Sequence, residues 1–249
     1  MNDLKFAFRQ LLKNPGFTTV AVLTLALGIG ANTAIFTVVN GVLLKPLPFV
    51  NPGSLVWGEA MDLQNRTRGG RVSPPDFVDY RRQTKSLEGV AAFQSISINI
   101  TEAGEPERLN GALVSAGFFE TLGIQPLPGG RTFQPSDEVR FPSVTVLSEA
   151  LWKRRFSGDP RIIGKTIRLD DYGVTVVGVM PSSFNFPIGA EVWVPLPLAL
   201  PDYQVRRFHF LSVVGRLAPG VSLVQAQAET DQIARALEKD FPDSNRNYG

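Results

Sequence analysis

The residues able to do chemistry are few, and their spacing is against them. Cysteine is absent, which removes thiol nucleophiles, disulfides and Cys-ligated zinc or iron–sulfur sites. The one histidine, His209, lies between Phe208 and Phe210 with no Glu-x-x-His or His-x-x-x-His pattern around it, so it reads as a structural side chain on a strand. Asp76 and Asp79 are three apart on one helix, but Arg81 and Arg82 follow and no general-acid partner is evident. Gly158–Thr166 echoes a phosphate-binding loop with five residues between its glycines where four are needed. A helix precedes it and a strand follows, so no helix N-terminus faces a phosphate, and the run reads as a surface turn. Gly28-x-Gly30-x-x-Thr33 lacks the third glycine of a dinucleotide fingerprint and sits in an apolar stretch with no acid about 20 residues on. Lys153-Arg154-Arg155, between Trp152 and Phe156, could grip an anion or a lipid headgroup, or form a solvated helix face. Trp57, Trp152 and Trp193 read as core or interface residues. No active site assembles from these parts. The expectation is a chain that is not an enzyme, with no catalytic residue, metal or cofactor.

The elements that position these residues divide sharply by charge. Residues 1–45 hold Lys5, Arg9, Lys13 and Lys45 against Asp3, a net +3, while the remainder is close to neutral at −1. A neutral bulk argues against a nucleic-acid footprint. Between Lys13 and Lys45 there are 31 consecutive uncharged positions. As a helix, Phe17–Leu44 would be about 42 Å long, more than the ~30 Å hydrocarbon core. Nine Val, Leu, Ile and Phe residues within Thr18–Val38 favour insertion by about −3 to −5 kcal/mol. A soluble core helix would show a polar stripe, and this stretch has none. A cleaved signal peptide ending near Ala31 would leave the apolar run Ala34–Leu44 exposed, so an uncleaved membrane anchor is expected. Gly28 and Gly30 permit close helix packing in lipid, and Asn32 either seeks a hydrogen bond from a neighbouring helix or faces a water-filled path. Lys5, Arg9 and Lys13 precede the span and place the N-terminus in the cytoplasm. Leu4, Phe8, Leu11 and Leu12 recur at helical spacing, which predicts an amphipathic helix on the inner membrane face. One span is expected, because Tyr172–Pro201, the other nearly charge-free stretch, carries five prolines.

Beyond the span the pattern is α+β. Ser73 caps a helix to about Thr84, Val90–Thr101 alternates as a half-buried strand, and Glu107–Val114 is a second strand. Ser115–Leu122 is a short helix closed by Gly123. Val144–Leu147 is a strand, Ser148 caps a helix through Phe156, and Thr166–Leu169 with Val174–Val179 forms a hairpin around Asp170–Gly173. Val192–Val194 is a short strand and Phe208–Leu217 another. Ser222 and Gln225 form a capping box for a helix whose apolar face is Leu223, Ala226, Thr230, Ile233, Leu237 and Phe241. A further strand is expected after that helix, and without it an unpaired sheet edge.

The segments FAFRQLLKNPGFT and LALGIGANTAIFTVVNGVLLKPLPF resemble the start of MacB/FtsX-type ABC transporter permeases, nearest the duplicated orphan permeases of acidobacteria. The resemblance continues in order through SPPDFVDYRRQTKSLEGVAAF, GEPERLNGALVSAGFFETLGIQPLPGGRTF, VLSEALWKRRFSGDPRIIGKTIRLD, VTVVGVMPSSFNFP and GRLAPGVSLVQAQAETDQIARAL. It implies an α+β fold: one N-terminal transmembrane helix, then a periplasmic porter-like domain with an inserted second α+β subdomain. The corresponding divisions are a cytoplasmic amphipathic helix at 1–15, the span at 16–44, the porter-like part at 46–125 and 202–249, and the insertion at 126–201. The resemblance further implies a cytoplasmic ABC ATPase partner, the lipid bilayer, and other permease helices or a second permease copy in a dimeric assembly, with no nucleic acid. It places the main domain in the periplasm of the bacterial inner membrane. The implied function is coupling of ATP hydrolysis by a partner to periplasmic domain motion, for export or mechanotransmission, in a chain that stops short of the family's second span. The alternatives are a membrane-anchored periplasmic binding module and a periplasmic hydrolase.

Overall fold

The computed structural model describes residues 13–39, 49–62, 67–102, 104–139 and 142–246. The expected amphipathic helix, with Lys5 and Arg9, lies outside the described residues, as do residues 40–45. The chain divides into two units, Met1–Leu47 and Pro48–Gly249.

In the first unit, Pro15–Val39 forms one helix, α1, of 25 residues. Pro15 suits its first turn, where the missing N–H would have no partner. At 1.5 Å per residue α1 is about 37 Å long. Among the described residues it is the one helix long and apolar enough to cross a membrane. Its threonines do not leave hydroxyls unsatisfied. Thr19, Thr24, Thr33 and Thr37 each donate to the carbonyl four residues back, at 2.7–2.8 Å, which is how hydroxyls are tolerated away from water.

The second unit is built on a sheet of eight strands. They are β1 (Leu55–Gly58), β4 (Leu87–Ile100), β5 (Glu107–Val114), β6 (Val144–Ser148), β7 (Thr166–Leu169), β8 (Tyr172–Met180), β9 (Val192–Pro195) and β10 (Ser212–Leu217), in the spatial order β1-β10-β4-β5-β9-β6-β8-β7. The pairings β5–β9 and β6–β8 are parallel, and the others along the sheet are antiparallel. Ile100 of β4 also pairs with Leu169 of β7, so the strands from β4 round to β7 close on themselves. Asp170 seals that closure by accepting from the Asn99 backbone N–H (3.0 Å) and side-chain amide (2.8 Å). β1 remains an outer edge. β2 (Ala60–Asp62) and β3 (Thr67–Gly70) form a separate hairpin.

Both faces of the sheet are covered, which explains why its central strands are apolar on both sides. On one face Ile98, Ile100, Leu109, Leu113, Val192 and Val194 pack with Phe77 and Leu151. Phe77 belongs to α2 (Pro74–Gln83) and Leu151 to α4 (Glu149–Phe156). On the other face Phe93, Val114, Val146 and Trp193 pack with Phe118, Phe119 and Leu122 of α3 (Phe118–Leu122). Strand alternation sets this sorting, and β8 breaks it once. Val174 and Val176 face one core, Val177 the other, and Val179 the first again. The register against β6 slips there, since Thr145 pairs Val176 while Val146 pairs Gly178. That is the signature of a β-bulge.

Local signals set the helix starts. Ser73, Ser148 and Ser222 each accept from the backbone N–H three residues on. α5 (Leu223–Asp240) carries a full capping box between Ser222 and Gln225. Gly123 closes α3 at φ +73, where a Cβ would also meet the Val50 Cβ at 2.7 Å. Three expectations need correction. Helix α3 starts at Phe118, not Ser115, because Gly117 at φ +83 caps it. Leu223 is exposed, and α5 buries Ala226, Ile233, Ala234 and Leu237. His209 is not on a strand: the chain turns at Val205–Phe208, Leu211 bridges Val72, and β10 begins at Ser212, opposite Phe93.

Candidate functional site

Along α1 the described side chains are exposed almost throughout, and an added Cβ at Gly28 or Gly30 would meet nothing within 4 Å. Gly28 and Asn32 are four apart and share a face, while Gly30, two from each, lies on the opposite one. The helix therefore brings together two of the three packing residues. The Asn32 amide has no hydrogen-bond partner among the described residues. Of the three orientation charges, Lys13 is described and exposed.

In the second unit the polar groups converge on two arginines, Arg216 buried and Arg206 half-buried. Arg216 lies on β10 and is 7% exposed. Its Nη1 donates to the Ser54 hydroxyl (2.7 Å) and the Asn51 carbonyl (3.3 Å), and its Nε donates to the Thr121 carbonyl (2.7 Å). Arg206 donates through Nη1 to Asp76 Oδ1 and through Nη2 to Asp79 Oδ2 (2.8 Å). Its guanidinium stacks 3.8 Å from the Phe241 ring centroid. Asn245, buried in α6 (Pro242–Asn245), donates its amide to the same Asp76 oxygen at 2.8 Å. Ser73 donates to Asp76 Oδ2 at 2.6 Å, and His209 Nε2 stands 3.6 Å from it. Asp76 is thus a buried carboxylate (4% exposed) held by side-chain donors from three segments, Ser73, Arg206 and Asn245, the arrangement a buried charge requires. Tyr80, on the same helix, is pushed up to about 12, first by burial and then by the charges of Asp76 and Asp231.

This cluster joins the Asp76–Asp79 pair, read as two acids on one helix without a general-acid partner, to His209, read separately as a structural side chain. Arg206 and Asn245 were missed, and Phe241, read as part of the apolar helix face, instead carries the Arg206 guanidinium. Arg206 was readable only as one of an adjacent basic pair, and Asn245 carries no signal in the sequence. Both carboxylates are engaged by Arg206. Among the described residues no group of three or more His, Asp or Glu could hold a metal ion.

The basic run on α4 is also used internally. Lys153 pairs with Glu149, and the Lys153 hydrogen bond is the main reason the Glu149 carboxyl lies below its usual range. Arg154 pairs with Glu191 (2.7 Å) and Glu107 (2.8 Å). Arg155 donates to the carbonyls of Glu102 and Glu105 and so ties down the β4–β5 turn. All three cations of the run are thus engaged by described residues rather than held out for a headgroup. In the loop around Gly158, Asp159 takes the Lys165 ammonium at 2.7 Å and the Arg161 N–H at 2.9 Å. These bonds, Lys165 foremost, lower its pKa, and they leave no phosphate cradle.

The class defined by these features is an α+β domain preceded by an apolar helix. The profile of the MacB-like periplasmic core domain matches residues 18–233, and the chain belongs to that family. The family is a periplasmic part of ABC transporter permeases and not an enzyme class. Solved structures agree at the level of fold. A domain from Porphyromonas gingivalis described as part of a permease protein aligns with a TM-score of 0.59 at 14% identity, over 79% of this chain and 87% of that one. The periplasmic region of MacB from Actinobacillus actinomycetemcomitans gives 0.58 at 14%, over 82% and 91%. The extracellular domain of the ABC-type transporter YknZ from Gram-positive bacteria gives 0.56 at 16%, over 78% and 98%. No curated protein matches the chain significantly.

Proposed function

We propose that this chain is the membrane-anchored periplasmic part of an ABC permease, which carries displacement made by a cytoplasmic ATPase into the periplasmic domain. The supporting observation is that one family match, over residues 18–233, takes in both the apolar helix and the domain. Lys5, Arg9 and Lys13 set the cytoplasmic side in the bacterial inner membrane. Gly28 and Asn32 meet a second helix, from the same permease or from another copy in a dimer, and Gly30 lets a further helix approach the opposite face. The domain divides into a porter-like part, 46–125 and 202–249, and an insertion, 126–201. The four strands β9, β6, β8 and β7 of that insertion lie side by side in the sheet. The two arginines suit a load path, since Arg216 ties the segment Asn51–Ser54 to β10 and Arg206 ties α2 to the segment that carries Phe241.

The test is to break the rod. Leu25→Pro with Ile29→Pro removes backbone hydrogen bonds mid-helix, at a cost of about 3 kcal/mol each. Spin labels on introduced cysteines report domain motion, because the chain has no native cysteine. ATP turnover by the co-purified ATPase should persist while the nucleotide-dependent change in label distance disappears. Unchanged coupling would overturn the proposal.

A further inference from the structure

The three tryptophans differ in one respect. Trp152 donates its indole N–H to the Asp159 carbonyl (2.9 Å), and Trp193 donates to the Phe186 carbonyl (3.0 Å). Trp57 has no hydrogen-bond partner among the described residues, and it is 51% exposed. Its ring stands edge-on to Phe93 (5.6 Å) and Phe186 (6.4 Å), and Phe186 in turn meets Phe49 (5.8 Å). Val50, next to Phe49, is 55% exposed, and Ile188, two residues beyond Phe186, is 90% exposed. The exposed Trp57 is carried by rings that meet edge-on, and its indole N–H is not spent on any described residue. Such a side chain is suited to a boundary that is greasy on one side and wet on the other.

Its place in the chain narrows the occupant. Phe49 follows Val39, the last described residue of α1, by ten positions, a reach of at most about 35 Å. It follows Lys45, the first charge after the apolar run, by four, or about 14 Å. We infer that Val50, Trp57 and Ile188, backed by Phe49 and Phe186, form a lipid-facing surface that seats the domain in the headgroup region of the bilayer. The inference rests on the membrane-anchored reading above. Lys45 before Phe49 and Glu59 after Trp57 leave the flanks of the patch with no net charge, so the partner is zwitterionic rather than anionic lipid.

Full-length chain reconstituted in phosphatidylcholine vesicles tests this. The emission lost on Trp57→Phe, a change that keeps a ring against Phe93 and Phe186, isolates the Trp57 signal. Lipid carrying a doxyl group near the headgroup should quench about half of that signal or more, and lipid labelled deep in the chain should quench less. Vesicle flotation with an unquenched Trp57 would overturn the inference and leave the anchor reading intact. Failure to float would overturn both. A Trp57 signal that shifts as the protein-to-lipid ratio falls would identify a second copy as the occupant and also overturn it.

Discussion

Arg206→Met removes the guanidinium that bridges Asp76 and Asp79 but keeps most of the apolar stem over Phe241. Breaking a buried ion pair by deleting one partner costs about 3–5 kcal/mol. Here Ser73 and Asn245 still donate to Asp76, so part of the compensation survives and about 2–3 kcal/mol is expected. For a domain of this size that is a fall in Tm of about 5–10 °C. The assay is thermal unfolding of the full chain in detergent, followed by near-UV circular dichroism. Asp76→Asn and the double variant complete a cycle. The double should be less destabilised than the sum of the singles by about 1.5–3 kcal/mol, since the second change removes an already stranded group. A loss under about 0.5 kcal/mol for Arg206→Met, or simple additivity, would refute the view that this cluster fastens the C-terminal helices.

Other consequences are checked more simply. Gly123→Ala forces a left-handed backbone and a Cβ into Val50, so it should destabilise by about 1–3 kcal/mol in denaturant titration. Leu151→Ala opens a cavity under α4 where the side chain is wholly buried, at about 2–5 kcal/mol. Tyr80 has a folded pKa near 12 against 10.0 when unfolded, so its contribution is complete below pH 10 and lost as pH rises toward 12. Tyr80→Phe should flatten that alkaline limb of a Tm-against-pH curve. Burial alone would raise the Glu229 carboxyl, but hydrogen bonds from Ser86 and Lys85 carry it below its usual range. Its contribution is therefore present above the ordinary carboxylate pKa and lost as pH falls through the lower folded value, and Glu229→Gln should remove that acid-limb dependence.

Local chemistry made much of the fold legible. The three serine caps, the turn at Asp170–Asp171 and the strand alternation from Ile96 to Ile100 are visible in runs of a few residues, and all three serine caps and both strands of the hairpin are present. The bulge at Val177 was not read, although Val174-Thr175-Val176 alternates and Val176-Val177 breaks the phase, because adjacent valines also suit a strand buried on both faces. The strand expected at Phe208–Phe210 failed for a related reason. Its apolar pattern suits a strand, but the backbone is committed to a turn at Val205–Phe208 and to the bridge at Leu211. The fastening cluster is the clearest gap: Asp76 meets Arg206 across 130 residues and Asn245 across 169. No spacing rule reaches that far, so these residues looked ordinary one by one.

The central claim is an embedded helix with its charged start inside and the large domain outside. Single cysteines at Asn2 and at the exposed Asp202, in a chain otherwise free of cysteine, test it in intact cells whose outer membrane has been made permeable. A membrane-impermeant maleimide should label Asp202→Cys at once and Asn2→Cys only after lysis, with the chain resisting carbonate extraction. Labelling of both before lysis, or release of the chain by carbonate, would contradict the account.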